Sequence, residues 1–225
     1  ALWELGVIYH YGHHAKRDLN KAFDYIAKSA DLGYAPAALQ AGIYLQSFLD
    51  DPNFQGNRIA AVQKMIEWWQ FSSSHGLPES DYNLGLLYHY GNHVQQDYIK
   101  GNKFLITAAK AGICHAQANL AISYIRGLGV EQDFSEAMKW SELAANQDNI
   151  LGIRNLGLMF LKGDGVKLSL SKAYFWFKKG AFLGCPQCQN HVAIMYEDGQ
   201  GRSVDLIEAY AYYLLSALQK EQSSS

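Results

Sequence analysis

The chain has 225 residues, of which 49% are apolar, 18% charged and 13% aromatic, a globular composition that excludes disordered, collagenous and low-complexity classes. Nineteen lysines and arginines against 21 acidic residues leave a net charge of −2, which offers no cationic footprint for nucleic acid or an anionic membrane surface. Three cysteines are too few for a disulfide-framed module, and no apolar run approaches the roughly 18 residues of a membrane span.

Ala1 is not a methionine and no charged-then-apolar leader opens the chain, so a trimmed or mature fragment is expected. From there a small residue after an apolar one returns at Leu5-Gly6, Ala41-Gly42, Leu84-Gly85, Leu120-Ala121, Leu156-Gly157 and Val192-Ala193, at spacings of 36, 43, 36, 36 and 36. Three positions beyond each small residue stands a large one: Tyr9, Leu45, Tyr88, Tyr124, Phe160 and Tyr196. A second register, Tyr25, Trp68, Phe104, Trp140, Trp176 and Tyr212, keeps the same period. Two registers with one period identify an internal repeat, of approximate copies 1–36, 37–79, 80–115, 116–151, 152–187 and 188–225 in one repeat domain.

Each copy reads as two helices. In the fourth, Ala116, Leu120, Ala121 and Tyr124 share one helical face, Gly127-Leu128-Gly129-Val130 interrupts, and Asp133 and Ser135 open a second helix carrying Ala137, Trp140 and Ala144. The glycine turn recurs at Gly91, Gly163-x-Gly165 and Gly199-x-Gly201, and its repetition without a preceding strand marks a hinge and not a dinucleotide loop. The second copy departs most, and its seven-residue insertion near Asp50–Gly56 is expected as a loop at the hairpin tip. One such hairpin cannot bury its own apolar face, so neighbours must stack into an all-α, right-handed α-solenoid superhelix. The last helix, Ala209–Leu215, is apolar on nearly every face, which predicts end-to-end self-association or further chain beyond. The tail Ser223-Ser224-Ser225 reads as frayed.

The patterns Leu120-Ala121-Ile122-Ser123-Tyr124, Gly127-Leu128-Gly129-Val130 and Lys172-Ala173-Tyr174-Phe175-Trp176 resemble the Sel1-like repeats, relatives of the tetratricopeptide repeats. The resemblance implies a non-enzymatic adaptor that holds a protein or peptide in a superhelical groove. It also implies, among bacterial members, an exported factor meeting host cells or envelope machinery, so export is favoured over a cytoplasmic address. The alternative it carries is an envelope enzyme or antibiotic-binding protein, but the cysteine-rich members linked to penicillin recognition hold a cysteine pair in successive repeats, which this chain does not. A base-reading RNA solenoid would need a basic groove, against the net charge of −2.

Three features could carry chemistry. Cys185-Pro186-Gln187-Cys188 stands at a predicted helix start, where a thiol pKa falls, but Cys188 aligns with the buried Ala116 and reads as a packing residue, as does Cys114. His10, His13 and His14 resemble His89 and His93 two copies later, too distant to converge on a metal, and shared ancestry of the copies accounts for them. Glu79 with Asp81, and Asp50 with Asp51, read as turn and cap carboxylates. No catalytic residue, metal site or cofactor is expected.

The first helices of a helix-pair solenoid line its concave face. Stepping 100° per residue puts one row of Asn83, Asn119 and Asn155 on that face, with Tyr82, Tyr90, Arg126, Arg154 and Lys162 around it. Amides can hydrogen-bond an extended peptide or tie neighbouring helices, and tyrosine and arginine are common interface anchors. The expected partner is a protein or peptide whose acidic segment meets Arg126, Arg154 and Lys162, with no nucleic acid and no membrane span.

Overall fold

The computed structural model describes residues 1–222, and the Ser223–Ser225 tail lies outside the described residues. Among the described residues there are twelve helices and no strand. They are α1 (Leu2–Tyr11), α2 (Leu19–Asp31), α3 (Ala35–Asp50), α4 (Arg58–Ser74), α5 (Pro78–Tyr90), α6 (Tyr98–Lys110), α7 (Cys114–Arg126), α8 (Phe134–Ala145), α9 (Ile150–Lys162), α10 (Leu170–Phe182), α11 (Pro186–Glu197) and α12 (Leu206–Gln222). Each odd helix packs on the even helix that follows it, which makes six hairpins of an α-solenoid. Two compact units result, Ala1–Ile113 with α1–α6 and Cys114–Ser225 with α7–α12.

Within a hairpin the small residue of the first helix lets the second approach. A Cβ added at Gly6 would lie 2.4 Å from Ile26, at Gly42 2.2 Å from Trp69, at Gly85 2.7 Å from Leu105 and at Gly157 2.5 Å from the Phe177 ring. The large residue sits one position after the second sequence register in every case. In the fourth hairpin Ala121 replaces the glycine and Ser141 the large residue, so the two volumes change together. The two registers themselves meet as stacked rings: Tyr9 on Tyr25 at 5.7 Å, Tyr88 on Phe104 at 6.1 Å and Tyr196 on Tyr212 at 5.9 Å between centroids. A lysine at the start of the second helix covers the first ring, as Lys21 over Tyr9, Lys100 over Tyr88 and Lys172 over Phe160.

The turn between paired helices is equally regular. Gly12, Gly91 and Gly163 close the first helix in the left-handed conformation. The N–H that opens the second helix then returns to the carbonyl of the first-register ring: Asp18 to Tyr9, Asp97 to Tyr88, Asp133 to Tyr124, Ser169 to Phe160 and Asp205 to Tyr196, all at 2.8–3.0 Å. The same Asp18, Asp97, Asp133 and Ser169 side chains cap the second helix. The second glycine of the Gly-x-Gly turn lies against the preceding hairpin, since a Cβ on Gly165 would be 2.3 Å from Phe134 and one on Gly201 2.6 Å from Leu170 backbone. His14 and His93 occupy that same turn position, both at positive φ. His93 Nε2 meets Asp50, at the end of α3, at 2.8 Å. His13, His14 and His93 thus belong to the turns and His10 and His89 to the last turns of α1 and α5, and among the described residues no group of three or more His, Cys, Asp or Glu converges to hold a metal.

Helix propensity alone would make Gly157→Ala stabilising by about 1 kcal/mol. The Phe177 ring opposes it, because Phe177 is fully buried and a Cβ would overlap it. The overlap is the larger effect, and urea unfolding is expected to show Gly157→Ala destabilised by about 1–2 kcal/mol. In a Phe177→Leu background the same change should cost much less, and strictly additive losses would refute this contact as the determinant.

Candidate functional site

Each unit presents part of the expected binding face. In the first, α5 carries Tyr82 and Asn83, both half-buried, and ends on Tyr90, which is 56% exposed. In the second, Asn119 and Arg126 come from α7, and Arg154, Asn155 and Lys162 from α9, which packs against α7. Arg126 and Lys162 are the exposed last residues of their helices, where a cation also complements the helix dipole.

The amides divide. Asn155 is buried, and its Nδ2 donates to the Ala118 carbonyl of α7 at 3.4 Å, so this amide serves the packing of α9 on α7 and not the groove. Asn119 Nδ2 donates to the His115 carbonyl one turn back in its own helix at 2.8 Å. A small cleft of about 400 Å³ opens at the starts of α7 and α9, with Arg154, His115, Gln147 and Asn149 among its walls.

Arg154 is the unusual member of the set. It is half-buried, and its buried Nε has no hydrogen-bond partner among the described residues. Its charge reaches α11, where it acts on Cys185, Cys188 and His191. The His191 ring stacks on Phe177 at 4.3 Å. Burial first, and then the Arg154 charge, hold its pKa below the ordinary 6.5. Both thiols are buried: Cys185 caps α11, and its Sγ accepts the Cys188 N–H at 3.2 Å.

The sequence reading missed a larger concavity of about 840 Å³ between α10 and α12. Tyr174, Phe175, Lys178, Phe182, Tyr212 and Leu215 are among its walls, and Phe182 is 91% and Phe175 60% exposed. Beneath it Tyr174 donates its hydroxyl to Tyr196 at 3.3 Å, while the Arg202 guanidinium bonds the Tyr174 hydroxyl and lies over the Tyr196 ring. The hydrogen bond with Tyr174 raises the pKa of Lys178, which stays cationic. One trace was visible in sequence: Phe175 and Phe182 are aromatic outside both repeat registers.

Comparisons with known proteins place this geometry. The family model described as Sel1 repeat matches residues 1–34, 78–113, 114–149, 150–185 and 186–221. The crystal structure of c5321, a protective antigen present in uropathogenic Escherichia coli strains displaying an SLR fold, superposes with a TM-score of 0.85 at 30% identity. That match covers 97% of this chain but only 45% of c5321, so the chain spans less than half of that protein's length. A Sel1 repeat protein from Oxalobacter formigenes superposes with a TM-score of 0.81 at 19% identity, over 96% of this chain and 83% of the other, which shows the fold. The immunity protein PA5088 from Pseudomonas aeruginosa is similar in fold at a TM-score of 0.61 and 14% identity, over 96% and 82%. No curated protein sequence matches the chain.

The low pKa of His191 sets a pH dependence. The folded state keeps the imidazole neutral, whereas the unfolded chain takes up a proton near pH 6.5, so stability present above that pH is lost as pH falls below it. Buried His89 of the first unit is shifted the same way by burial. The unfolding free energy from urea titrations should fall on acidification below 6.5, by up to about 1.4 kcal/mol per pH unit for each such proton. His191→Phe, which keeps the stacking on Phe177, should flatten part of that slope, and an unchanged slope would show that His191 is not its source.

Proposed function

The chain belongs to the Sel1-repeat family, a family of protein-interaction scaffolds, and we propose that it is a non-enzymatic adaptor holding an acidic peptide segment on the first helices of its hairpins. The observation that carries the reading is three cations on the first helices α7 and α9: Arg154, half-buried at the cleft near their starts, and the exposed Arg126 and Lys162 at their ends. A carboxylate accepts from a guanidinium in a bidentate pair, and Arg154 lines the cleft where such a group would sit. On α5 of the first unit, Tyr82, Asn83 and Tyr90 supply the aromatic and amide contacts of the same kind of face. Asn119 and Asn155 support that face by ordering its helices.

The likeness to a protective antigen of uropathogenic E. coli supports an exported, host-facing role for a bacterial scaffold of this kind. Among the described residues no helix is long and apolar enough to cross a membrane.

A second reading, self-association through α12, is favoured by one observation. Leu206, Ile207, Tyr210 and Leu218 of that helix are 65%, 84%, 65% and 56% exposed, beside the apolar cleft with α10. Sedimentation of the chain with and without Ile207→Asp separates the two surfaces, since only self-association responds.

The adaptor reading is tested by fluorescence anisotropy with a labelled glutamate-rich decapeptide against a lysine-rich control. We expect binding of the acidic peptide only, weakening with salt as exposed charges are screened. The folded Arg126→Glu/Lys162→Glu double variant should lose at least about tenfold in affinity, a change of about 1.4 kcal/mol. Arg154→Gln should lose affinity without loss of fold. Equal affinity for the two peptides, or an unaffected double variant, would overturn the reading.

A further inference from the structure

Cys188 fills a packing position of the repeat, but neither the repeat pattern nor the partner reading calls for a second thiol at Cys185. They occupy the N-cap and third position of α11, with Pro186 between them at a position whose N–H has no helical partner to lose. Residues one helical turn apart have Cα atoms roughly 5–6 Å apart, inside the range of about 4.4–6.8 Å that a disulfide spans. The Cys188 N–H donates to Cys185 Sγ at 3.2 Å, and Cys185 Sγ in turn donates to Gln187 Oε1 at 3.5 Å.

The environment separates the two thiols. The hydrogen bond from Cys188, foremost, then its backbone N–H and the Arg154 charge pull the Cys185 thiol below its ordinary pKa against the opposing effect of burial. Its role as donor to that sulfur, together with burial, pushes Cys188 up. One sulfur is therefore a nucleophile and the other a protonated resolving thiol. Room for the second sulfur is built into α10, where Gly180 lies so close that a Cβ would be 2.5 Å from Cys188 Sγ. Both cysteines belong to a buried cluster that also holds Phe177, Ala173 and Val192.

We propose that Cys185 and Cys188 are a redox-active dithiol, which closes to an intramolecular disulfide by exchange with a low-molecular-weight disulfide of the glutathione class. The Cys185 thiolate attacks one sulfur of the disulfide, forming a mixed disulfide and expelling one thiolate. Cys188 then loses its proton and attacks Cys185 Sγ, breaking the mixed bond and expelling the second thiolate. The two released thiolates carry away the protons of Cys185 and Cys188, and two electrons pass from the protein dithiol to the small disulfide. Both cysteines are at most 1% exposed, so the first step follows a local opening at the α10–α11 turn, where Gly184 stands at positive φ beside the exposed Gln187. The inference is independent of the partner reading, because its readout is the state of two sulfurs and needs no ligand.

The test equilibrates the folded chain with mixtures of oxidised and reduced glutathione, quenches with acid and maps the thiols by mass spectrometry. Half-buried Cys114 serves as internal reference, and circular dichroism monitors the fold. We expect loss of two hydrogens from the peptide holding Cys185 and Cys188, with no retained glutathione, and full reversal in excess reduced glutathione. In Cys188→Ser the mixed disulfide on Cys185 should accumulate, and in Cys185→Ser the remaining Cys188 should stay unmodified. The proposal is overturned if the pair stays reduced in the folded chain at a ratio that modifies Cys114. It is equally overturned if the disulfide appears only in urea, or if Cys188→Ser takes up no glutathione.

Discussion

Every hairpin of this chain depends on a Cβ that is absent or minimal. Where the first helix carries glycine, the second comes so near that a single methyl would overlap Ile26, Trp69, Leu105 or Phe177. The approach places a large, fully or nearly fully buried side chain where the glycine leaves space, and dispersion contacts accumulate over the whole interface. Close axes also bring the two aromatic registers into stacking range, and the ring pairs then set the rotation of one helix about the other. The fourth hairpin shows the constraint from the other side, because Ala121 on the first helix is accompanied by Ser141 on the second. There the added methyl on the first helix goes with a smaller side chain on the second.

Most features that look chemical serve this packing. The Gly-x-Gly turns serve the backbone: one glycine ends the helix, and the other lets the turn lie on the hairpin before it. The lysine of the Lys-Ala-x-x-aromatic pattern covers the ring of the partner helix with its stem and charge. The aspartates before the second helices spend one group on the helix N-terminus and their N–H on the ring's carbonyl. Function is therefore to be sought where a residue has no duty in the repeat. Arg154 and the off-register Phe175 and Phe182 are such residues, and they lie in the second unit together with the Cys185–Cys188 pair, whose two thiols are more than capping and packing require.

The registers made six hairpins legible because 36 residues return the chain to the same place in the next copy. They also located the insertion, since the first register spaces normally into Gly42 and the second has already lengthened by Trp68. What periodicity supplies is a direction around one helix. It does not say how far a neighbouring helix covers that direction, and this is why Asn155 is buried on α7 although its row points toward the expected groove. The α10–α12 cleft was hidden for the same reason, as its volume is a distance between helices two elements apart. Alignment to Ala116 describes Cys188 as a packing residue; Cys185 stands at the expected helix start, but its N-cap hydrogen bond depends on backbone dihedrals that no spacing encodes.

The second hairpin, outside every family match, shows what the turn must do when its glycines are gone. Asp51 ends α3 in an extended conformation, so no left-handed residue turns the chain there. Arg58, at the start of α4, instead donates to the carbonyls of Leu49 at 2.6 Å and Asp51 at 2.9 Å, satisfying helix-end acceptors that a glycine turn would otherwise bond through its own backbone. The same guanidinium lies over the Phe54 ring, which folds the inserted residues back against the hairpin. Asn57 caps α4 in place of the usual aspartate, and the fully buried Trp69 replaces the smaller residue opposite Gly42. Asp50 then receives His93 from the next turn, at the position where later copies need a glycine. A family pattern tuned to the glycine turn does not match this segment, yet every physical requirement of the turn is met by other groups. The repeat is conserved here as a set of satisfied donors, acceptors and volumes after its residues have changed.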